Sequence, residues 1–221
     1  MSEPRPIGIF GGTFDPIHHG HLRLAQEALE HLYLERVRWI PAGRPPHRQP
    51  PRATPEQRLE MVRLAVADNP GFAVDGAEVL SDAPSYTVPT LERLRQELGD
   101  DQPLVLLTGA DAFAGLPTWH RWRDILALAH VAVVHRPGFS VDPAALEPEL
   151  AREFAGRRCT AKDLAPRPGG GIVTFAMTPL DIAATQIRQL LATGRSPRYL
   201  LPPAVIAYIQ AHRLYLTNPA T

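Results

Sequence analysis

Three histidines lie within four residues near the start of the chain, in the segment Gly11-Gly12-Thr13-Phe14-Asp15-Pro16-Ile17-His18-His19-Gly20-His21. The two glycines at its start allow the backbone to turn sharply and to approach a ligand closely. His18 and His21 are three residues apart, so they lie on one side of an opening helical turn. Two imidazoles aimed at one phosphate can donate hydrogen bonds where negative charge grows in phosphoryl transfer. Gly20 between them leaves room for a base or a ribose.

Simpler interpretations of this segment exist. The Gly-Gly pair can form a plain turn, and the histidines can be helix caps or exposed surface residues. Three histidines so close together, directly after a strand, favour a phosphate site over these interpretations. Zinc bound by His18, His19 and His21 is a weaker alternative, because no Glu sits at the spacing of a zinc-binding helix.

The elements around this segment alternate between strands and helices. Apolar runs predict strands at Ile7–Phe10, Val37–Ile40, Leu104–Thr108, Val131–His135 and Ile172–Ala176. Helical spacing predicts helices at His21–Leu32, Pro55–Asp68, Val88–Leu98, Ala184–Leu191 and Pro203–His212, and a mostly helical Trp-rich segment at Leu116–Ala129. Thr54, Pro55 and Gln57 have the pattern of a capping box with proline at the first helical position.

This alternation predicts an α/β fold: a Rossmann-like, doubly wound, mainly parallel sheet with helices on both faces. We expect a single domain over residues 1–221, with residues 181–221 as its small C-terminal helical part. Residues Pro137–Gly171, rich in proline, glycine and charge, predict a mobile surface insertion with one helix near Ala144–Phe154. Ligands of such sheets bind at the carboxyl ends of the strands, and the first helix offers its free amides to phosphate there.

Composition excludes several classes of protein. The 221 residues are 44% hydrophobic and 21% charged, and the formal net charge is zero, so we expect neither a nucleic-acid nor a membrane partner. No stretch approaches the ~20 apolar residues of a membrane span. Cys159 is the only cysteine, which excludes an intramolecular disulfide and a thiolate zinc site. These features and the absence of a signal-peptide pattern predict a cytoplasmic protein; they do not predict its oligomeric state.

The histidine segment resembles the signature of the nucleotidyl-transferase superfamily, in which a His-x-Gly-His motif contacts nucleotide phosphates. His18, Gly20 and His21 match that motif. The chain contains neither the Gly-x-Gly-x-x-Gly fingerprint nor a Walker sequence, which excludes dehydrogenases with that fingerprint and P-loop enzymes. Class I aminoacyl-tRNA synthetases share the histidine motif but need a lysine-rich loop, and Lys162 is the only lysine here.

Further motifs along nearly the whole chain resemble bacterial nicotinate-nucleotide adenylyltransferases. On the ATP side, Asp111 matches a family aspartate near the adenosine ribose, and Thr185 and Arg188 match a helix start that binds phosphates. Ala183 and Ala184 stand where the family has two serines. The resemblance implies ATP-binding residues Gly11, Gly12, Thr13, Phe14, His18, Gly20, His21, Gly109, Asp111, Thr185 and Arg188, with His18, His21 and Arg188 as the catalytic ones.

On the acceptor side, Pro45-Pro46-His47-Arg48 resembles a family loop that ends in lysine, so arginine keeps the charge but changes its geometry. Ser85-Tyr86-Thr87 matches a motif around the nicotinate carboxylate. Leu116-Pro117-Thr118-Trp119-His120-Arg121-Trp122 matches a motif in which Trp119 stacks on the pyridine ring, whereas Trp122 is expected in the core. The resemblance implies nicotinate mononucleotide-binding residues Asp15, His47, Arg48, Tyr86, Thr87 and Trp119.

The resemblance implies an enzyme of NAD biosynthesis that transfers the adenylyl group of ATP to nicotinate mononucleotide, giving nicotinate adenine dinucleotide and pyrophosphate. Mg²⁺ is expected to bind together with ATP, without a protein ligand. One alternative is a sister adenylyl- or cytidylyltransferase that acts on phosphopantetheine, FMN or a similar acceptor. Another is a nucleotide-binding regulator without catalysis, which the two alanines before Thr185 suggest. The third is a metal-binding protein.

Overall fold

The computed structural model describes residues 4–46, 50–136, 138 and 141–216. The chain forms two compact units. The first unit consists of Met1–Gly11, Leu24–Arg38 and Tyr86–Pro179, and the second unit consists of Gly12–Arg23, Trp39–Ser85 and Leu180–Thr221. Each unit is therefore assembled from separate stretches of sequence, and the expectation of one domain over residues 1–221 stays a prediction.

The sheet has six strands in the order β3-β2-β1-β4-β5-β6. They are β1 (Ile7–Gly12), β2 (Arg36–Pro41), β3 (Phe72–Val74), β4 (Leu104–Gly109), β5 (His130–His135) and β6 (Ile172–Ala176). β1 pairs in parallel with β4, β4 with β5, and β5 with β6. Residues 104–108 and 130–134 are buried, as expected for strands in the middle of such a sheet. This strand order confirms the predicted Rossmann-like α/β fold.

Eight α-helices lie in the described part of the chain. They are α1 (His19–His31), α2 (Pro55–Val66), α3 (Thr87–Leu98), α4 (Ala110–Ala114), α5 (Trp122–Leu128), α6 (Pro148–Arg157), α7 (Ala184–Ala192) and α8 (Pro203–Ala211). The predicted capping box is confirmed at the start of α2: the Gln57 N–H donates to Thr54 Oγ1 at 3.3 Å, and the Thr54 N–H donates to Gln57 Oε1 at 3.0 Å.

The Trp-rich segment is less regular than its sequence suggested. A short 3₁₀ helix covers Leu116–Thr118, and α5 begins only at Trp122. Arg121 has a left-handed backbone conformation with φ 54°, which separates the two helices. Strand β3 was not predicted, because three residues are too few to show a period.

The segment before β6 was predicted as a mobile surface insertion with one helix near Ala144–Phe154, and the structure has helix α6 there. α6 begins at Pro148, after Glu147 has capped it by accepting the N–H groups of Glu149 and Leu150. Leu150 and Phe154 on α6 are buried, and the Phe154 ring lies 5.8 Å from that of Phe113. The predicted helix is therefore confirmed with a later start, and its buried side chains pack into the core of the first unit. The mobility of the segment stays a prediction.

The two last helices, α7 and α8, belong to the second unit, where α8 packs against α2. Val205 and Ile209 on α8 are buried. Among the described residues, none of the helices combines the length and the apolar character that crossing a membrane requires.

Candidate active site

The loop after β1 is built around the ring of Phe14. Phe14 has a left-handed backbone with φ 49°, and its side chain is buried. A Cβ atom on Gly12 would lie 2.8 Å from the Phe14 ring, so this position requires glycine. The Phe14 ring packs edge-on against His21 at 5.1 Å and also contacts Trp39 at 5.5 Å. The phenylalanine of the motif therefore supports one of its histidines.

His18 and His21 form a stacked pair at the start of α1. Their ring centroids are 3.7 Å apart and their planes are inclined by 24°. The His18 carbonyl accepts the His21 N–H at 2.9 Å, and the His18 N–H donates to His21 Nδ1 at 3.2 Å. Because Nδ1 of His21 accepts this bond, the proton of the neutral ring lies on Nε2. The helix start thus fixes the tautomer of His21.

Both rings are held neutral in the free protein. Burial lowers the pKa of His18 from 6.5 to about 4, and the neighbouring His19 contributes to this shift. Burial also lowers the pKa of His21 well below 6.5, with a further contribution from His18. His18 Nδ1 is buried without a hydrogen-bond partner among the described residues. A buried polar atom without a partner is costly, so His18 is prepared to receive a polar ligand atom.

Gly20 makes room for the His18 ring. A Cβ atom on Gly20 would lie 3.0 Å from His18 Nδ1 and 3.7 Å from the carbonyl oxygen of Ile182. The space that was expected to admit a base or a ribose is thus occupied by the imidazole itself. An ATP contact through the Gly20 backbone stays a prediction.

Arg188 on α7 reaches the same loop. Its Nη1 donates to the Asp15 carbonyl at 2.6 Å and lies 3.8 Å from Asp15 Oδ2, and its Nη2 donates to Thr185 Oγ1 at 3.2 Å. Ala183, the N-cap of α7, forms no side-chain hydrogen bond to the helix start. The loss of the two family serines therefore leaves the first amides of α7 without a capping side chain, and such amides can bind an anion.

Asp15 is buried and bound by several protein donors. Oδ2 accepts the Arg52 N–H at 2.9 Å, and Oδ1 accepts the Ala53 N–H at 3.1 Å and the Tyr215 hydroxyl at 2.7 Å. The carboxylate thus ties the loop after β1 to the segment before α2 and to the end of the described chain. Its predicted contact with nicotinate mononucleotide stays a prediction.

Arg58 on α2 was not singled out from the sequence, although it supports two loops of the second unit. Its side chain is fully buried, and its two terminal nitrogens donate to the carbonyl groups of Thr13 at 2.8 Å and Gly43 at 3.0 Å. Burial lowers the pKa of Arg58, and the charge of Asp15 opposes this shift. A Cβ atom on Gly43 would lie 2.1 Å from the carbonyl oxygen of Glu78. No sequence signal distinguishes Arg58 from the other arginines of this arginine-rich chain.

Gly11, Gly109 and Asp111, all predicted to bind ATP, belong to the first unit. Gly11 and Gly109 lie at the carboxyl ends of the neighbouring strands β1 and β4, where ligands of such sheets bind. Gly109 is the N-cap of α4, and a Cβ atom on it would meet nothing within 4 Å. The exposed Asp111 lies in the first turn of α4.

The residues predicted to bind the nicotinate ring also belong to the first unit. Tyr86 is the N-cap of α3 without a side-chain cap bond, and Thr87 is the first residue of that helix. The Tyr86 ring lies 4.5 Å from the ring of His120, which was not predicted as a site residue. Trp119 is half-buried, whereas Trp122 is buried as expected. Both tryptophans line a cavity of 510 Å³, whose other lining residues are Pro117, Arg121, Arg123, Asp124, Glu147 and Glu149.

The second unit holds the other residues predicted to bind ATP, which are Gly12, Thr13, Phe14, His18, Gly20, His21, Thr185 and Arg188. It also holds Asp15, which was predicted to bind nicotinate mononucleotide. His47 and Arg48 lie outside the described residues. Among the described residues, no group of three or more His, Cys, Asp or Glu side chains could hold a metal ion.

A family model supports the class that the fold and the histidine pair indicate. The model described as cytidylyltransferase-like matches residues 9–190, which include most of β1, the histidine pair and most of α7. The chain is therefore a member of the cytidylyltransferase-like nucleotidyltransferases.

Comparison with curated relatives narrows the class. A protein of Dechloromonas aromatica (strain RCB) named "Probable nicotinate-nucleotide adenylyltransferase" is 66% identical over 216 residues, which cover 97% of this chain and 99% of the relative. A protein of Pseudomonas putida (strain W619) with the same name is 50% identical over 211 residues, covering 96% of this chain and 95% of the relative. The chain belongs to the nicotinate-nucleotide adenylyltransferase family.

A solved structure confirms the fold. Plasmodium falciparum nicotinic acid mononucleotide adenylyltransferase complexed with NaAD aligns with a TM-score of 0.72 at 15% sequence identity, over 96% of this chain and 97% of the other. At this identity the likeness is evidence for the Rossmann-like fold.

Proposed function

We propose that this protein transfers the adenylyl group of ATP to nicotinate mononucleotide, giving nicotinate adenine dinucleotide and pyrophosphate for NAD biosynthesis. Membership of the family supports the two substrates. The observation that carries the chemistry is the stacked pair of neutral imidazoles at the start of α1, with the unpaired, buried Nδ1 of His18.

The reaction needs little acid-base chemistry. The phosphate of nicotinate mononucleotide is largely ionised at neutral pH and attacks the α-phosphorus of ATP in line, while pyrophosphate leaves. No strong general base is required, so catalysis depends on positioning and on stabilising the charge of the transition state. In this proposal His18 and His21 donate hydrogen bonds to phosphate oxygens, and the Arg188 guanidinium neutralises the phosphates.

The other substrate contacts follow from the family resemblance. On the ATP side we propose the backbone of residues 11–14 and Gly20, together with Gly109, Asp111 and Thr185. On the acceptor side we propose Tyr86, Thr87 and Trp119, with His47 and Arg48. Thr87 suits the nicotinate carboxylate because the first amides of α3 can bind an anion.

We propose that Mg²⁺ reaches the protein bound to ATP. Asp15, the acidic side chain of the loop after β1, is already occupied by N–H and O–H donors and faces Arg188, so it is not arranged as a cation ligand. Mg²⁺ keeps several water ligands when it binds nucleotide phosphates. When bound, it supplies charge neutralisation on the phosphates.

The test is Mg²⁺-dependent pyrophosphate release from ATP with four acceptors in parallel: nicotinate mononucleotide, nicotinamide mononucleotide, 4'-phosphopantetheine and FMN. We expect release mainly with nicotinate mononucleotide. Release mainly with another acceptor would keep the nucleotidyltransferase class and reject the substrate. Binding of ATP without release for any acceptor would identify a non-catalytic nucleotide-binding regulator.

A further inference from the structure

The end of the described chain is tied to the loop that follows β1. Tyr215 is buried, and its hydroxyl donates to Asp15 Oδ1 at 2.7 Å, across 200 positions of sequence. Burial raises the pKa of Tyr215 far above its ordinary value of 10, and the neighbouring Asp15 adds to this shift. The hydroxyl is therefore protonated at any working pH and acts as a permanent donor to the carboxylate.

The two carboxylate oxygens of Asp15 have different neighbours. Oδ1 accepts the bonds from Tyr215 and from the Ala53 N–H, whereas Oδ2 accepts the Arg52 N–H and faces Nη1 of Arg188 at 3.8 Å. Without the Tyr215 hydroxyl, Oδ1 would keep a single donor, and the carboxylate could rotate or shift. Because the same plane carries Oδ2, such a movement would change the position of the charge that faces Arg188.

Arg188 depends on Asp15 for its orientation. Nη1 of Arg188 donates to the backbone carbonyl of Asp15 at 2.6 Å, and Nη2 donates to Oγ1 of Thr185 at 3.2 Å. Its side chain is 22% exposed, so one part is anchored while another part can meet a ligand. An arginine that neutralises phosphates works best when its planar group is oriented in advance.

We propose that Tyr215 is a positioning residue for the adenylyl transfer, which acts through Asp15 to hold Arg188 in its phosphate-binding orientation. This inference depends on the proposed function, because it gives Arg188 a role on the phosphates of ATP. In this inference the Asp15 carboxylate binds groups of the protein itself and orients Arg188, and it does not contact a substrate.

The test is a double-mutant cycle with Tyr215→Phe and Arg188→Ala, measured as kcat/KM for ATP with nicotinate mononucleotide as acceptor. The Tyr215→Phe change removes one hydroxyl and keeps the buried ring. We expect it to lower kcat/KM about tenfold to 100-fold in the wild-type background, since small displacements of a positioned group have effects of this size. In the Arg188→Ala background we expect a change of less than about twofold, because contacting residues are not additive.

Tyr208→Phe is the matched control, because Tyr208 lies in the same C-terminal part and its ring contacts His212 instead of Asp15. This control should retain wild-type kinetics. Equal losses from Tyr215→Phe in both backgrounds would indicate a purely structural role and overturn the proposal. Wild-type kinetics of the Tyr215→Phe variant would overturn it as well.

Affinity for ATP separates this inference from the proposed function. It is measured by calorimetric titration of the wild type, Tyr215→Phe, Arg188→Ala and the double variant. If the wild type releases no pyrophosphate with nicotinate mononucleotide, the proposed reaction fails, and the affinity cycle still tests the network. A loss of ATP affinity from Tyr215→Phe that disappears in the Arg188→Ala background supports the inference. The same loss in both backgrounds, or no loss in either, overturns it.

Discussion

The lowered pKa of His18 predicts a specific acid sensitivity of the fold. The unfolded chain binds a proton at His18 near pH 6.5, whereas the folded protein resists protonation down to about pH 4. Between these two values the unfolded state binds more protons, so the free energy of unfolding falls as the pH is lowered. The contribution of His18 is fully present above pH 6.5 and is lost as the pH falls through 4.

The magnitude follows from the difference between the two pKa values. A lowering of the His18 pKa from 6.5 to about 4 corresponds to about 3 kcal/mol, because a pKa difference of one unit between the unfolded and folded states is worth about 1.4 kcal/mol. The His18→Gln variant cannot take up this proton. We therefore expect its free energy of unfolding to fall by about 3 kcal/mol less than that of the wild type between pH 7.5 and pH 4.

Urea unfolding at a series of pH values measures this difference directly, and NMR titration of the histidine rings gives the pKa of His18 independently. His31→Gln is a suitable control, because His31 is the last residue of the same helix α1 and is exposed, whereas His18 is buried. Equal pH dependence of the wild type and His18→Gln would refute the reasoning, as would a titration of His18 near pH 6.5.

Three further predictions, which use five substitutions, test other parts of the structure. Gly43→Ala should cost more than about 3 kcal/mol of stability, because its Cβ would lie 2.1 Å from a backbone oxygen. Gly156→Ala, inside helix α6, would place a Cβ with nothing within 4 Å, so it should be neutral or stabilise the protein by up to about 1 kcal/mol. Thermal unfolding of the two variants compares their stabilities. The Cβ added by Gly109→Ala would also meet no protein atom within 4 Å, so the stability of the protein should change by less than about 0.5 kcal/mol. A weaker affinity of this variant for ATP in a calorimetric titration would show that the ligand occupies this space. Unchanged affinity would remove Gly109 from the ATP site. Trp119 is half-buried, so Trp119→Ala should raise the KM for nicotinate mononucleotide up to about tenfold with little loss of stability. Trp122 is buried, so Trp122→Ala should destabilise the protein by about 3–5 kcal/mol. The reverse pattern in kinetics and urea unfolding would exchange the roles of the two tryptophans.

Local patterns were sufficient for much of the fold. The capping box at Thr54 and Gln57 and the buried strands could be predicted because each depends on residues adjacent in sequence. The start of α6 was misplaced, although Glu147 followed by Pro148 is a readable signal of a cap and a first helical residue. The left-handed backbone at Arg121 gave no such signal, because among the described residues with positive φ the non-glycine residues outnumber the glycines.

In the candidate site, too, some residues could be predicted from the sequence and others could not. The histidine pair could be predicted from its spacing, and the structure adds the stacking, the tautomer and the unpaired Nδ1 of His18. Arg58 and Tyr215 could not be predicted, because their partners are distant in sequence: Tyr215 and Asp15 are 200 positions apart. Periodicity reports which side of an element is buried, but it does not report which carbonyl or carboxylate a buried polar group meets.

The most direct test of the proposed reaction follows the α-phosphorus of ATP. The protein is incubated with Mg²⁺, nicotinate mononucleotide and ATP labelled either at the α-phosphorus or at the γ-phosphorus, and the products are separated. Adenylyl transfer predicts that the α-label appears in the dinucleotide and the γ-label in pyrophosphate. Transfer of the γ-label to the acceptor, or the absence of labelled dinucleotide while ATP is consumed, would contradict the account.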